Sequence, residues 1–291
     1  MSLSSALESL LGERVDRVTA GPPGQLGPTW RAKVSDGRRL FVKTFERGGT
    51  AAALQEADGL RFLAEAACGP ALSIPRVHGA RARDGTTSGL LLIDWVDAAP
   101  SNAAGDEAFG QALARLHRLS VARLGFVADN NLAGVPQDNA SAPAETWAAF
   151  YRDRRLVPAF ERASKGVRVS ASLRRAFEST LDRIETLAST SEPPSRVHGD
   201  LWGGNRISTI AGSVLVDPAA YAGNREVDLA MMRLFGGFSR RVFDAYVEAW
   251  PLEPGAARRV PLYQLYPLLI HVVLFGESYL ASVEQALYDL V

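Results

Sequence analysis

Two short stretches hold the residues best suited to chemistry. In the first, Val197-His198-Gly199-Asp200-Leu201-Trp202-Gly203-Gly204-Asn205, an aspartate stands five positions before an asparagine. In the second, Val214-Leu215-Val216-Asp217-Pro218, a largely β-branched run ends in another aspartate, twelve residues after Asn205. This spacing suits phosphoryl transfer to a hydroxyl, with Asp200 accepting the hydroxyl proton and Asn205 and Asp217 holding Mg²⁺. A transferring phosphoryl group is strongly anionic, and hard Mg²⁺ takes oxygen ligands, one neutral from the amide and one charged from the carboxylate. Asp200 must stay off the metal to face the acceptor. Taken separately, His-Gly-Asp and Val-Asp-Pro read as ordinary turns, since they are built of common turn residues. The joint spacing is what favours chemistry.

Such a loop needs a cation for the phosphates and a lobe to hold it. Thr29 to Val34 and Arg39 to Phe45 alternate in polarity around Asp36-Gly37, the pattern of a β-hairpin. Lys43 lies in the second strand on the face of Phe41 and Phe45, where it either snorkels to solvent or meets a fixed anion such as nucleotide phosphate. The helix predicted over Thr50 to Ala67 puts Glu56, Leu60 and Leu63 on one face, so Glu56 is the favoured partner for Lys43, ahead of Glu65 or a solvated position. Gly21 to Gly27 occupies the place of a phosphate-covering loop, but its Gly-x-x-Gly-x-x-Gly spacing with two prolines equally fits a plain surface loop. No Gly-x-x-x-x-Gly-Lys-Ser/Thr stretch occurs, which argues against a Walker-type site.

Further strands are predicted around Ile74 to Val77 and from Ser88 to Val96, the latter apolar enough to be buried on both sides. The run from Asp94 to Gly105 then fits a hinge, with backbone at Asp94 and Val96 free to pair with adenine, or a strand leading into an ordinary loop. This divides the chain into a nucleotide-binding lobe, residues 1–97, and a helical lobe, residues 98–291. Residues 3–11 read as a short amphipathic helix. Beyond residue 105, helices are predicted over Glu107 to Leu119, Trp147 to Phe160, Ser170 to Leu187 and Arg225 to Phe235, followed by three apolar helices. The irregular, Gly/Asn/Pro-rich segment 125–144 is a candidate wall for an acceptor pocket. His117 reads as structural. Asp228 either complements its helix dipole or holds the Asp200 loop by hydrogen bonds.

Composition sets outer limits. The 291 residues suffice for one large or two modest domains, and 47% are hydrophobic, as a substantial core requires. Lys+Arg and Asp+Glu both number 32, so binding to nucleic acid or a membrane by global charge is not expected. The single cysteine, Cys68, excludes an intrachain disulfide and a multi-cysteine metal site, and is expected to be packed in the core. The opening residues lack a basic start and a long apolar run, and Leu262 to Phe275 is short and interrupted for a membrane span. A soluble, cytoplasmic protein is the expectation.

His198 to Asn205, and Val216-Asp217-Pro218-Ala219-Ala220 continuing through Arg225-Glu226-Val227-Asp228-Leu229-Ala230-Met231 to Leu234-Phe235-Gly236-Gly237-Phe238, resemble the fructosamine kinase (ketosamine-3-kinase) family. Weaker echoes are Gly125-Phe126, Pro136 to Asn139, and Phe150-Tyr151 with Arg155-Leu156 and Pro158. The resemblance covers most of the chain from the Lys43 strand onward. It implies an α+β, protein-kinase-like two-lobed fold of the aminoglycoside-phosphotransferase and choline-kinase branch. It also implies transfer of the ATP γ-phosphate, with Mg²⁺, to the third hydroxyl of a ketoamine sugar, free or on a glycated protein lysine, after which the amine is released.

Carried onto matching positions, Asp200 is the base, Asn205 and Asp217 bind the metal, Lys43 and Glu56 position phosphates, and Trp202 borders the sugar pocket. His198 and Asp228 support the loop. The glycine-rich loop departs from the family pattern and lacks the cysteine some relatives carry there, so no phosphate contact is assigned to it and no disulfide-linked form is expected. An aminoglycoside, choline-like or other hydroxyl acceptor is the alternative, as is an inactive nucleotide-binding module. The acidic residues of segment 125–144 are too scattered to favour a polycationic acceptor.

Overall fold

The computed structural model describes residues 2–24, 26–47, 49–66, 69–140, 144 and 146–290. Cys68 and Gln25 of the glycine-rich loop lie outside the described residues. The alternation around Asp36-Gly37 is a hairpin of β2 (Thr29–Val34) and β3 (Arg39–Phe45), with Thr29 opposite Lys43 and Lys33 opposite Arg39. With β1 (Val15–Ala20), β5 (Val77–Arg81) and β6 (Gly89–Asp94) it forms an antiparallel five-stranded sheet in the order β1-β2-β3-β6-β5. Strand β6 is apolar up to Asp94 because both its faces are covered. Leu90 and Leu92 pack with Leu40, Val42 and Leu7 of α1 (Leu3–Leu11). Leu91 and Ile93 pack with Phe45 and with Ala53, Ala57 and Leu60 of α2 (Ala52–Ala64). Lys43 falls on the α2 side by the same alternation.

The strand read around Ile74 to Val77 is displaced. Pro75 cannot donate a ladder hydrogen bond. Pairing therefore occurs on either side of it, at β4 (Leu72–Ser73) and at β5.

The remainder is mainly helical. Helix α3 (Ala103–Arg118) is capped by Asn102, whose side chain accepts from Gly105 N, and buries the expected stripe of Phe109, Ala112, Leu113 and Leu116. The segment 125–144 contains a hairpin that the sequence reading did not foresee, β7 (Asn130–Leu132) with β8 (Val135–Gln137). The helix expected over Trp147 to Phe160 is α4 (Trp147–Tyr151) and α5 (Val157–Gly166) joined by a π-helical turn, Arg152–Leu156. That expected over Ser170 to Leu187 is broken at Arg183 into α6 (Ala171–Asp182) and α7 (Ile184–Leu187). Two short sheets follow: β9 (Ser195–Val197) with β12 (Tyr221–Gly223), and β10 (Arg206–Ser208) and β11 (Ser213–Leu215) with β4. Helices α8 (Glu226–Leu234), α9 (Arg240–Ala249), α10 (Ala256–Phe275) and α11 (Leu280–Tyr288) complete the chain.

Helix α10 contains Pro261 and Pro267. A proline removes the donor for the carbonyl four residues earlier; the Tyr151 hydroxyl lies 3.3 Å from the carbonyl of Tyr263 and replaces it. The apolar stretch is longer than Leu262 to Phe275: by length and composition the helical segment Ala256–Tyr288 would reach across a bilayer. In the fold, Leu262, Leu265, Leu268, Leu269 and Ile270 are instead buried in a core with α4, α5 and α11.

Arg155, in the π-turn, is fully buried and lies 4.1 Å over the Tyr221 ring. It donates to Asp138 O at 2.6 Å and to Asn139 Oδ1 at 2.5 Å, pinning the strand end of the β7–β8 hairpin. A buried guanidinium with carbonyl partners cannot be removed without orphaning them. Arg155→Met should lower the unfolding free energy in urea by about 3 kcal/mol; a loss below about 1 kcal/mol would show that the clamp adds little.

Candidate active site

The four groups singled out by spacing converge on one cleft. Lys43 Nζ lies 2.8 Å from Glu56 Oε2 and 3.0 Å from Asp217 Oδ1. The contact expected between β3 and α2 is therefore present, and Asp217 shares the ammonium. Burial alone would lower the pKa of Lys43, but Glu56 and Asp217 more than reverse this, so the lysine stays charged. Burial pushes the Glu56 carboxyl upward while Lys43 pulls it down. Its Oε1 is buried and has no hydrogen-bond partner among the described residues. Glu65, the alternative partner for Lys43, pairs with Arg196 at 3.0 Å.

Asp200 lines the same cleft, and Asn205 lies buried beside it. Asn205 Nδ2 donates to Asp200 O at 2.8 Å and to Asp200 Oδ2 at 3.0 Å. Asp200 is pushed up to about 7, chiefly by burial, with the hydrogen bond from Asn205 opposing and the charge of Asp217 adding to the rise. Asp217 adopts φ 55°, a left-handed conformation that is strained for a side-chain-bearing residue and is characteristic of functional positions.

The loop is held by the residues read as support. Asp228, fully buried in the first turn of α8, accepts from His198 N at 2.6 Å and from Gly199 N at 2.9 Å. It also meets His117 Nε2 at 3.1 Å, while His117 Nδ1 lies 2.8 Å from the Tyr246 hydroxyl. His198 Nε2 donates to Val216 O at 2.9 Å and its Nδ1 accepts from Asp200 N at 3.3 Å, so a neutral ring ties the Asp200 loop to the strand end before Asp217. Burial, which lowers the His198 pKa, keeps it neutral. Gly199 has φ 78°, and a Cβ there would come within 2.2 Å of Ala219 O. A Cβ at Gly204 would meet the Trp202 ring at 2.3 Å, so that glycine lets the indole lie across the loop.

The hinge residues divide in role. Asp94 is committed within its own lobe: its carboxylate meets His78 Nε2 at 2.7 Å and accepts from Arg76 N at 2.9 Å, and its N–H donates to Arg76 O. Val96 N–H has no protein partner among the described residues. On either side of it, Trp95 N donates to Arg39 O at 3.2 Å and Ala99 N to Ser208 O at 2.7 Å.

Among the described residues no group of three or more His, Cys, Asp or Glu side chains could hold a metal ion. The donor set suits an ion that shares its ligands with phosphate. Asn205 Oδ1 has no protein partner among the described residues, and the Asp217 carboxylate is 45% exposed to the cleft.

Two cavities meet at Asp200. One is lined by Lys43, Glu56 and Asp217. The other, about 800 Å³, is lined by Trp202, Phe235, His271, Phe275 and Tyr279. His271 centres the aromatic group, 4.6 Å from Phe235, 4.9 Å from Tyr279 and 5.5 Å from Phe275. Its Nδ1 donates to Pro267 O at 2.7 Å, which leaves Nε2 as an acceptor, and burial lowers its pKa. Trp202 and Phe235 lie within motifs that the sequence flags; His271, Phe275 and Tyr279 do not, because core aromatics on an apolar helix read alike.

A β-sheet region, a helical region and a shared Lys/Asp/Asn/Asp cleft define a protein-kinase-like ATP-dependent phosphotransferase. The chain matches the fructosamine kinase family model over residues 4–291 and belongs to that family. A probable ketoamine kinase of Enterococcus faecium is 36% identical over 270 residues, 91% of each chain. A crystal structure assigned as a fructosamine-3-kinase from Thermobifida fusca superposes with a TM-score of 0.90 at 35% identity, covering 99% of this chain and 98% of that one. Spectinomycin phosphotransferase, solved with ADP and spectinomycin, shares the fold alone, with a TM-score of 0.58 at 11% identity over 99% of this chain and 92% of its own.

The raised pKa of Asp200 fixes the sign of two pH effects. A carboxylate must be deprotonated to accept a proton, so kcat/KM of the free enzyme should fall about tenfold per unit as pH drops below about 7. In the fold this group binds its proton more tightly than in the unfolded chain, so its ionisation opposes folding increasingly as pH rises from 4 to 7. Asp200→Asn should therefore raise Tm at pH 8, with the gain vanishing near pH 4. An equal Tm for both proteins at pH 8 would contradict the burial argument.

Proposed function

We propose that the protein phosphorylates a sugar hydroxyl of ketoamines, with Asp200 as base and ATP as donor in the cleft between residues 1–97 and 98–291. Lys43, oriented by Glu56, binds the nucleotide phosphates, and Val96 N–H offers the hinge contact to adenine. Asn205 and Asp217 hold Mg²⁺, which when bound neutralises phosphate charge. Asp200 aligns the acceptor oxygen and takes its proton. Catalysis is then positioning and electrostatics, without a covalent intermediate. A phosphate on the third hydroxyl lies next to the ketoamine carbon and makes the adduct labile, so the amine is lost. This supports a deglycation role in the cytoplasm, on free ketoamines or on glycated protein lysines.

The observation that carries this reading is the makeup of the acceptor cavity. Among its described lining residues Asp200 is the only carboxylate, Arg47 adds a cation, and one wall is aromatic around a neutral His271. A ketoamine brings one secondary ammonium, which aromatic faces accommodate. A polycationic aminoglycoside would need several carboxylates and finds one.

The test is phosphate transfer from ATP across ribulose- and fructose-lysines, aminoglycosides and choline. The ketoamines should be the preferred acceptors, and preference for an aminoglycoside or choline would reassign the substrate. Asp200→Asn should lower turnover by about 10³-fold with Mg·ATP binding nearly intact. Asp217→Ala should instead weaken binding of Mg·ADP, measured by titration calorimetry, and unchanged affinity would remove Asp217 from the metal site.

A further inference from the structure

Helix α2 presents Glu56 to Lys43, but its sheet-facing residues Ala53, Ala57 and Leu60 make apolar, non-directional contacts. The far end of α2 is tied by Arg196, which donates to Phe62 O at 2.9 Å and pairs with Glu65; at the near end the directional link comes from the residue beside Glu56. Gln55 Nε2 donates to Asp129 O at 3.0 Å, and its Oε1 accepts from Asn131 Nδ2 at 2.8 Å. Asn131 lies in the β7–β8 hairpin, and its Oδ1 also accepts from Gly134 N at 3.0 Å. It thereby closes a turn in which Ala133 has φ 50°, a costly conformation for alanine.

The base of the same hairpin is fastened to the segment that follows Asp217. Asn130 Nδ2 donates to Ala220 O at 2.9 Å, and Gln137 Nε2 to Ala219 O at 3.2 Å. Gln137 and Asn139 also both donate to Asn130 Oδ1. One rigid hairpin thus joins the helix that bears Glu56 to the chain that bears Asp217. Its tip at Ala133 borders both the cavity at Lys43 and the acceptor cavity.

We propose that Gln55 and Asn131 are positioning residues, a side-chain bridge that holds Glu56, and through it Lys43, in register with Asp217. The bridge rests on the reading of this cleft as the nucleotide site, and it acts only through the Glu56–Lys43 pair. Two carboxylates share one ammonium here, so a shift of α2 would leave Lys43 with Asp217 and out of place for phosphate. The Ala53, Ala57 and Leu60 contacts are non-directional and Arg196 holds only the far end of α2, whereas a pair of amide hydrogen bonds beside Glu56 fixes distance and direction together.

The test uses Mg·ADP as probe, with affinity read by titration calorimetry, so it needs no acceptor. Gln55 is on a helix surface and alanine favours helix, so Gln55→Ala keeps the fold. It should weaken Mg·ADP binding about fivefold while Tm changes by less than about 2 °C. In a Glu56→Gln background the same substitution should have no further effect on affinity. Asn131→Ala should reproduce the loss, and the Gln55→Ala/Asn131→Ala double variant should be no weaker than either single variant. Affinity within twofold of the unsubstituted protein, or an equal loss with and without Glu56, would overturn the positioning role. Absence of any Mg·ADP binding by the unsubstituted protein would instead overturn the nucleotide reading of the cleft.

Discussion

The site depends on one buried ammonium shared by two carboxylates. Taking Lys43 and Glu56 out of water is costly unless each charge is paired at short range. Their side chains are 8% and 10% exposed, against 45% for Asp217. The pair therefore belongs to the fold, while Asp217 is the member free to change partners. In the proposed chemistry, phosphate oxygens would take the place of Asp217 at Lys43, leaving Asp217 to hold Mg²⁺ with Asn205. The resting ion pair keeps the lysine charged and extended until then.

A second constraint acts on the other side of the cleft. Asp228 accepts both N–H groups at the head of the Asp200 loop, and His198 spans from that loop to Val216. Asp200 and Asp217, the proposed base and metal ligand, are thus set by one carboxylate and one neutral imidazole, neither of which lines the proposed acceptor cavity. Rigid backbone on both sides of Asp200 is what proximity catalysis requires, since a displacement of about 1 Å can cost about 10²-fold in rate. The left-handed backbone of Asp217 fits this picture as strain held in place by its surroundings.

The parts legible in the sequence are those whose physics is local. Asp200, Asn205 and Asp217 stand at fixed spacing because one loop and one strand end present them. The β2–β3 alternation around Asp36-Gly37 places Lys43, and three- and four-residue periodicity finds Glu56 on the inner face of α2. The β7–β8 hairpin escaped notice for a physical reason. Its turn is Ala133-Gly134 rather than Asn-Gly, and its buried positions are Asn130, Gln137 and Asn139, which look like surface residues until their amide network is seen. Arg155 is hidden in the same way, since an arginine between helical residues gives no hint of a π-turn or of aromatic partners. The break at Arg183 and the displacement around Pro75 move boundaries without moving the site.

The division of labour within the chain explains why the transfer chemistry was readable and the acceptor less so. Asp200, Asn205 and Asp217 lie within eighteen consecutive residues, and their types are dictated by phosphate and metal. Apart from Trp202, the aromatic wall of the proposed acceptor cavity comes from elsewhere, from the end of α8, from α10 and from the turn after it. Its aromatic residues could equally have been core. A fold that separates the two can keep its phosphoryl-transfer machinery while the C-terminal helices determine which hydroxyl is presented, so fold likeness to spectinomycin phosphotransferase carries no information about the acceptor here. In this chain those helices provide aromatic faces, one neutral imidazole and no carboxylate beyond Asp200. On the proposed reading, that arrangement suits a sugar with a single ammonium and disfavours a cluster of them.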